Sequence, residues 1–238
     1  MSVILRKHNR FKNKKFLAIT ISTISSIGIY LSFYFGFNYN STFYSFSLIF
    51  IFLIYFSILY IKKINISIKN ENATLLIFKK LDDDYTIFFD TKLLPRKKNE
   101  EIFSIILHKK GIFIVSSNEY CGFIRGNEDD SELKISKKYY TNDDFSHNIS
   151  NSCNTVTSYC NKVNKILKNR QVRIKCSGVI LFNNITANVN IKTNSIKIFS
   201  AKTNGGYDFV NYIHDFENTI QLSDKQYQRT YKSLKKLL

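Results

Sequence analysis

Cysteine is scarce and unpatterned in this chain of 238 residues. Cys121, Cys153, Cys160 and Cys176 form no C-x-x-C pair, and His108, His147 and His214 stand at no zinc-like spacing to them. A zinc site is therefore excluded on spacing, and reduced, partly buried thiols in a reducing compartment are the expectation. There is no glycine-rich phosphate loop and no Ser-His-Asp grouping, which removes the common nucleotide-hydrolysis and acyl-transfer signatures. Charge is absent altogether from residues 16–61. No soluble surface segment of that length does without charge, so this stretch belongs in an apolar medium.

What is abundant is Asn, Lys, Ile, Phe, Tyr and Ser, with one proline and no tryptophan. That profile resembles proteins encoded by AT-rich bacterial genomes, and such coding raises the lysine content without any role for it. The formal charge of +17 divides into +6 on residues 1–15, +3 on residues 62–69 and +8 on residues 70–238. About half of the excess thus flanks the uncharged stretch, where membrane topology accounts for it.

Residues 16–37 make an uncharged run of about 22 residues, which at ~1.5 Å per residue spans ~33 Å as a helix. Residues 44–61 make a second run. The link between them, Asn38 to Phe43, is short and polar. A cleaved signal peptide is a poor fit, because the first run is too long, lacks a small-x-small cleavage site and is followed at once by a second span. The expectation is a two-helix transmembrane hairpin over residues 16–61. A basic N-terminus over 1–15 and a basic linker over 62–69 flank it. The positive-inside rule puts both termini in the cytoplasm of a two-pass cell-membrane protein whose first partner is the lipid bilayer. Gly28, Ser32 and Gly36 share one face of the first helix and permit close helix approach. That stripe serves packing against the second span or, alternatively, a homodimer contact.

From residue 70 the pattern changes to that of an α/β domain running to residue 238. A short helix over 75–81 ends at Asp82-Asp83-Asp84. A strand follows over 85–93, then a basic turn over 95–99. Strands over 102–107 and 112–116 are joined by a hairpin turn, His108-Lys109-Lys110-Gly111. A short strand at 122–125 precedes an acidic loop at 127–130. Val156, Cys160, Val163 and Leu167 recur at helical spacing within a helix expected over 147–168. Strands follow at 177–182 and 195–199, then helices at 207–216 and 223–238. Ser223 and Gln226 have capping-box spacing. In the last helix Tyr227, Tyr231, Leu234 and Leu238 share a face. Lys225, Arg229, Lys232, Lys235 and Lys236 cover the rest, and a solvated helix face is the default for them.

This soluble part resembles the NERD, or nuclease-related, domain. Asn70-Glu71 stands where that family has Gly-Glu on its first helix, and Leu81-Asp82-Asp83-Asp84-Tyr85 matches its acidic turn. Residues 102–107, the run Gly111 to Asn118, and Gly122-Phe123-Ile124-Arg125-Gly126 follow in the family's order. Asn148 to Ser152 falls where the family has Asn-Pro-x-x-Gln, with Asn retained and Pro and Gln lost. The resemblance implies a restriction-endonuclease-like fold, with a mixed central sheet flanked by helices. It also implies an active site of Asp on one strand and Glu-x-Lys on the next. Two carboxylates of that kind hold Mg²⁺ against the scissile phosphate, and the lysine, on the same strand face as the glutamate, steadies developing charge.

Aligned on Gly111, the Asp position is Phe103, the Glu position is Ser116 and the Lys position is Asn118. Phe cannot ligate a metal, and Ser and Asn bring it no charge. Glu71 survives, and Glu101 and Glu119 lie near the replaced positions. The leading reading is thus a membrane-anchored, catalytically inactive domain without a cofactor, with nucleic acid as its ligand. Lys79, Lys80, Arg96, Lys97, Lys98, Lys109 and Lys110 are the candidate phosphate contacts. One alternative is an active nuclease using Glu71, Glu101 and Mg²⁺. Another is a membrane scaffold binding protein or lipid.

Overall fold

The computed structural model describes residues 2–6, 10–91, 102–136, 146–172, 174–217 and 221–238. The chain divides into two units, one of residues 8–69 and the other of residues 1–7 together with 70–238. In the first unit, helix α1 (Arg10–Asn38) is followed by a single helical turn, Ser41–Phe43, capped by Asn40, whose side chain accepts from the Thr42 amide. Helix α2 (Tyr44–Phe78) starts at once. Both helices are long and apolar enough to cross a membrane. The small-residue stripe on α1 faces α2 of the same chain. A Cβ added at Gly28 would sit 2.6 Å from the Phe50 ring, and one at Gly36 would sit 2.7 Å from the Tyr44 ring. A larger side chain at either position would force the Phe50 or Tyr44 ring to move.

Helix α2 does not stop at the edge of the uncharged run. Residues 62–69, expected as a linker, and the short helix expected over 75–81 are one continuous helix with the second span. Nothing in this stretch breaks it: there is no Pro or Gly between Tyr44 and Phe78. Its last turns belong to the second unit, where Ile77 and Phe78 are buried.

The second unit is built on a six-stranded sheet in the order β1-β2-β3-β4-β8-β10. Strands β3 (Ile102–His108) and β4 (Gly111–Asn118) form the expected antiparallel hairpin, with Phe103 opposite Ser116 and His108 opposite Gly111. Strand β2 (Thr86–Phe88) pairs antiparallel with β3, and β8 (Cys176–Phe182) and β10 (Lys197–Ser200) extend the sheet in parallel from β4. Strands covered on both faces read as continuous apolar runs. On one face Phe103, Ile105, Leu107, Ile112, Ile114, Ile180 and Phe182 pack with helix α3 (Ser152–Lys168). On the other, Ile102, Ile106, Phe113, Val115, Val179 and Leu181 pack with the end of α2 and with helix α4 (Tyr207–His214).

A second sheet follows the order β7-β6-β5-β9, with β5 (Gly122–Asn127), β6 (Glu132–Ser136) and β7 (Ser146–Ser150) antiparallel and β9 (Ala187–Lys192) parallel to β5. Two expectations are corrected here. Residues 147–150 are strand, not helix, because they pair with β6. The helix begins only after Asn151, whose side chain accepts from the Cys153 amide at 3.0 Å. The Asn151 amide also donates to the carbonyls of Asn127, Glu128 and Asp130, so one residue starts α3 and pins the preceding loop. Strand β9 had no counterpart in the sequence pattern. Its inward Ala187, Val189 and Ile191 alternate with Asn188, Asn190 and Lys192, residues of low strand propensity. The capping box of helix α5 (Asp224–Lys235) forms as expected between Ser223 and Gln226.

The N-terminus enters this unit as well. Strand β1 (Val3–Leu5) pairs parallel with β2 at the sheet edge. Ser2 donates to the Phe78 carbonyl at 3.0 Å, and Arg6 pairs with Glu71, a carboxylate only 4% exposed. Breaking a buried ion pair costs about 3–5 kcal/mol. Deleting residues 2–6 from the full chain is therefore expected to lower its melting temperature by on the order of 10 °C. Circular dichroism of the detergent-solubilised protein reads this, and an unchanged melting temperature would show that β1 carries no stability.

Candidate functional site

The positions to which the resemblance assigns the catalytic side chains sit side by side. Phe103 on β3 is directly opposite Ser116 on β4, and Asn118 lies two residues further along the same face of β4. That face looks toward α3, since its neighbours Ile112 and Ile114 belong to the α3-side core. The Phe103 ring stacks on Tyr159 of α3 with centroids 4.3 Å apart and planes 10° apart. Both rings are almost fully buried. An apolar stack thus occupies the place where the resemblance expects the first carboxylate.

Ser116 and Asn118 are wholly buried. The Asn118 amide donates to the Ser152 hydroxyl at 3.1 Å, at the first turn of α3. The Lys position and the position of the missing Gln are therefore in direct contact as a neutral pair. Among the described residues, the Ser116 hydroxyl and the Asn118 carbonyl oxygen have no hydrogen-bond partner. Each such buried polar atom is a cost of about 1–3 kcal/mol to a folded chain. On the opposite face, the Ser104 and Ser117 hydroxyls are also buried without a protein partner.

Glu71 is drawn into other chemistry. Its neighbour Asn70 and Thr74 on α2 meet Asn183, which follows β8. The Asn183 amide donates to the Asn70 carbonyl at 3.0 Å, to the Thr74 hydroxyl at 2.8 Å and to the Asn70 side chain. Arg6 binds the Glu71 carboxylate and lies 5.8 Å from the Phe89 ring centroid. Glu119 lies past the end of β4, and Glu101 lies outside the described residues. Among the described residues, no three His, Cys, Asp or Glu side chains are grouped to hold a metal ion. The donors at Phe103, Ser116 and Asn118 do not suit Mg²⁺, which is bound through carboxylates.

The candidate phosphate contacts are differently placed. Lys80 donates to the Gly205 carbonyl at 3.1 Å and lies 3.8 Å from the Tyr207 ring centroid. Lys109 pairs with Asp224 at 2.6 Å, a contact that raises the lysine pKa and lowers that of the aspartate. Lys79 is exposed, and Lys110 lies in the β3–β4 turn, where its backbone amide donates to His108 Nδ1. Arg96, Lys97 and Lys98 lie outside the described residues. All four cysteines are free, and burial pushes the Cys153 and Cys160 thiols up to about 12.

Sequence reasoning did not single out Tyr159 or Asn183. Tyr159 lies beside Cys160 on the buried stripe of α3, so the spacing marks it as core but does not show what it stacks on. Asn183 follows an apolar strand, with no signal that its partners lie 109 and 113 residues away.

Compared with known families, residues 67–183 match the model described as nuclease-related domain, NERD. No curated protein and no solved structure matches the chain. The matched segment runs from the last turns of α2 to just past β8, and so contains Glu71, Phe103, Ser116, Asn118 and Tyr159 but not Arg6. If the Phe103–Tyr159 stack fills the site as packing, Phe103→Ala leaves a cavity and costs about 3–5 kcal/mol. Thermal unfolding checks this, and a variant as stable as the parent would mean the ring is not a core element.

Proposed function

This chain carries a nuclease-related domain over residues 67–183, and we propose that it is a membrane-anchored form that binds nucleic acid without cutting it. The observation that carries the reading is the Phe103–Tyr159 stack at the first carboxylate position, beside a buried, uncharged Ser116 and Asn118. Replacing the metal-binding carboxylates with an aromatic pair and neutral side chains removes the charge that holds Mg²⁺ and the lysine that assists attack. The element order is in keeping with a restriction-endonuclease-like core. A helix, three antiparallel strands, a helix and a strand parallel to the third appear in turn as α2, β2, β3, β4, α3 and β8.

The purified full chain is expected to bind DNA or RNA in a salt-sensitive manner and to release no product with Mg²⁺ or Mn²⁺. Cleavage that is lost in Glu71→Ala/Glu101→Ala would overturn the inactive reading in favour of an active nuclease. Absence of binding at low salt would overturn the nucleic-acid reading in favour of a scaffold for protein or lipid.

The anchor is a two-pass hairpin with both ends in the cytoplasm. Support comes from chain closure: strand β1, before α1, and the remaining strands, after α2, fold into one unit, so the chain leaves and returns to the same side. An even number of crossings satisfies that requirement, and two apolar helices are present. Large apolar side chains such as Phe16, Tyr30, Phe52 and Phe56 are exposed on these helices, as lipid-facing residues would be. Lysines flank the runs at Lys12, Lys14, Lys15, Lys62, Lys63 and Lys69. In intact cells a membrane-impermeant maleimide is expected to label Ser41→Cys and to spare the exposed Cys121. The reverse pattern would invert the topology.

A further inference from the structure

A cleft of about 520 Å³ opens between the C-terminal end of α3 and helix α5. Arg170, just past α3, lines one side, and Arg229, Lys232 and Lys236 line the other with Ser233. The three α5 cations stand at spacings of three and four, which puts them on one helix stripe facing the same cleft. Among the described residues, no acidic side chain lines it. All four cations are exposed, and none forms an ion pair among the described residues. In this they differ from Lys109, which Asp224 neutralises, and from Lys80, which is spent on a carbonyl and a ring.

Cations gathered without a counterion repel one another, and an anion in the cleft relieves that repulsion. Helix ends explain part of the charge, since positive side chains suit the carbonyl end of a helix. They do not explain why side chains from segments some sixty residues apart face a common cavity, nor Arg229, which precedes the last turn of α5. Two of the four are arginines, whose planar fork matches phosphate oxygens in pairs.

We propose that this cleft binds the phosphodiester backbone of a nucleic-acid strand. The inference rests on the nucleic-acid reading above and assigns it a place. That place is not the position of the nuclease chemistry. Ser152, in contact with Asn118, is at one end of α3, and the cleft is at the other end, ~25 Å away along a helix of 17 residues. A membrane surface fits less well. An interfacial helix inserts an exposed apolar face into lipid, whereas α5 turns Leu234 inward and packs Tyr227 and Tyr231 against the core. No exposed large hydrophobic side chain lines the cleft.

The test compares the full chain, held in neutral-lipid nanodiscs, with two charge-matched variants. One is Arg170→Gln/Arg229→Gln/Lys232→Gln/Lys236→Gln. The other is Arg125→Gln/Lys134→Gln/Lys192→Gln/Lys197→Gln, which removes as many exposed cations elsewhere on the domain. Binding of labelled single-stranded and duplex oligonucleotides is followed by anisotropy between 50 and 200 mM salt, and thermal melting checks that both variants are folded. Each phosphate left without its cation lowers the slope of log affinity against log salt by about 0.7 for single strands and about 0.9 for duplex. The cleft variant is therefore expected to lose about 3 from that slope and at least tenfold in affinity at low salt, while the matched variant stays near the parent. Equal losses in both variants, or an unchanged slope in the cleft variant, overturn the cleft and leave the nucleic-acid reading standing. No binding by the parent overturns both. Loss of binding to phosphatidylserine vesicles in the cleft variant, with oligonucleotide binding intact, assigns the cleft to a membrane surface and overturns it.

Discussion

Strand β4 is paired on both edges and covered on both faces, and the rest of the domain is arranged around that confinement. Its partners are β3, antiparallel, and β8, parallel, with α3 above and the end of α2 with α4 below. A strand buried on both faces has no tolerance for slippage, because a shift of one residue exchanges its two faces. Positions 103, 116 and 118 are therefore held together by register, whatever chemistry they carry. At those positions neutral side chains relieve a burial cost that charged ones impose, since unpaired charges taken from water are expensive. The replacement is not a clean conversion to an apolar core, however. Ser116, Ser117 and Asn118 keep polar atoms without protein partners at the end of β4.

The second constraint is closure of the chain on itself. A strand of three residues before α1 completes a sheet whose other strands all come after α2. Ser2, β1 and Arg6 meet the Phe78 carbonyl, β2 and Glu71 in turn. Glu71 is the carboxylate that survives from the family pattern, and here it serves to hold the N-terminus. The domain's edge strand precedes the two apolar helices in sequence while its other strands follow them, and α2 runs on without a break into the residues of the second unit.

Charge illustrates how far composition can be read. The lysine-rich bias makes nearly any basic residue a candidate phosphate contact, and the turn at Lys109-Lys110 and the pair Lys79-Lys80 look as suitable as any. In the fold, Lys80 and Lys109 are occupied by Tyr207, Gly205 and Asp224. Four exposed cations that form no ion pair among the described residues instead face one cleft where α3 ends beside α5. On α5 alone they look like the solvated face that amphipathic helices ordinarily carry.

The two apolar helices, the β3–β4 hairpin, the buried stripe of α3 and the capping box of α5 were all legible because each is written in local terms. Hydrophobic runs, period and capping residues act within a few positions of one another. The pairing of Phe103 with Ser116 was legible too, since Gly111 provides a register within one hairpin. What was not legible depends on residues far apart. Asn148 and Ile149 are strand because β6 lies beside them, and the end of α2 is one helix because nothing local ends it. By itself the sequence determined that two apolar spans precede an α/β domain and that the expected carboxylates are absent. Only the tertiary structure decided that Tyr159 stacks on Phe103, that Arg6 takes up Glu71 and that Arg170 faces Arg229, because each pairs residues whose separation along the chain carries no periodic signal.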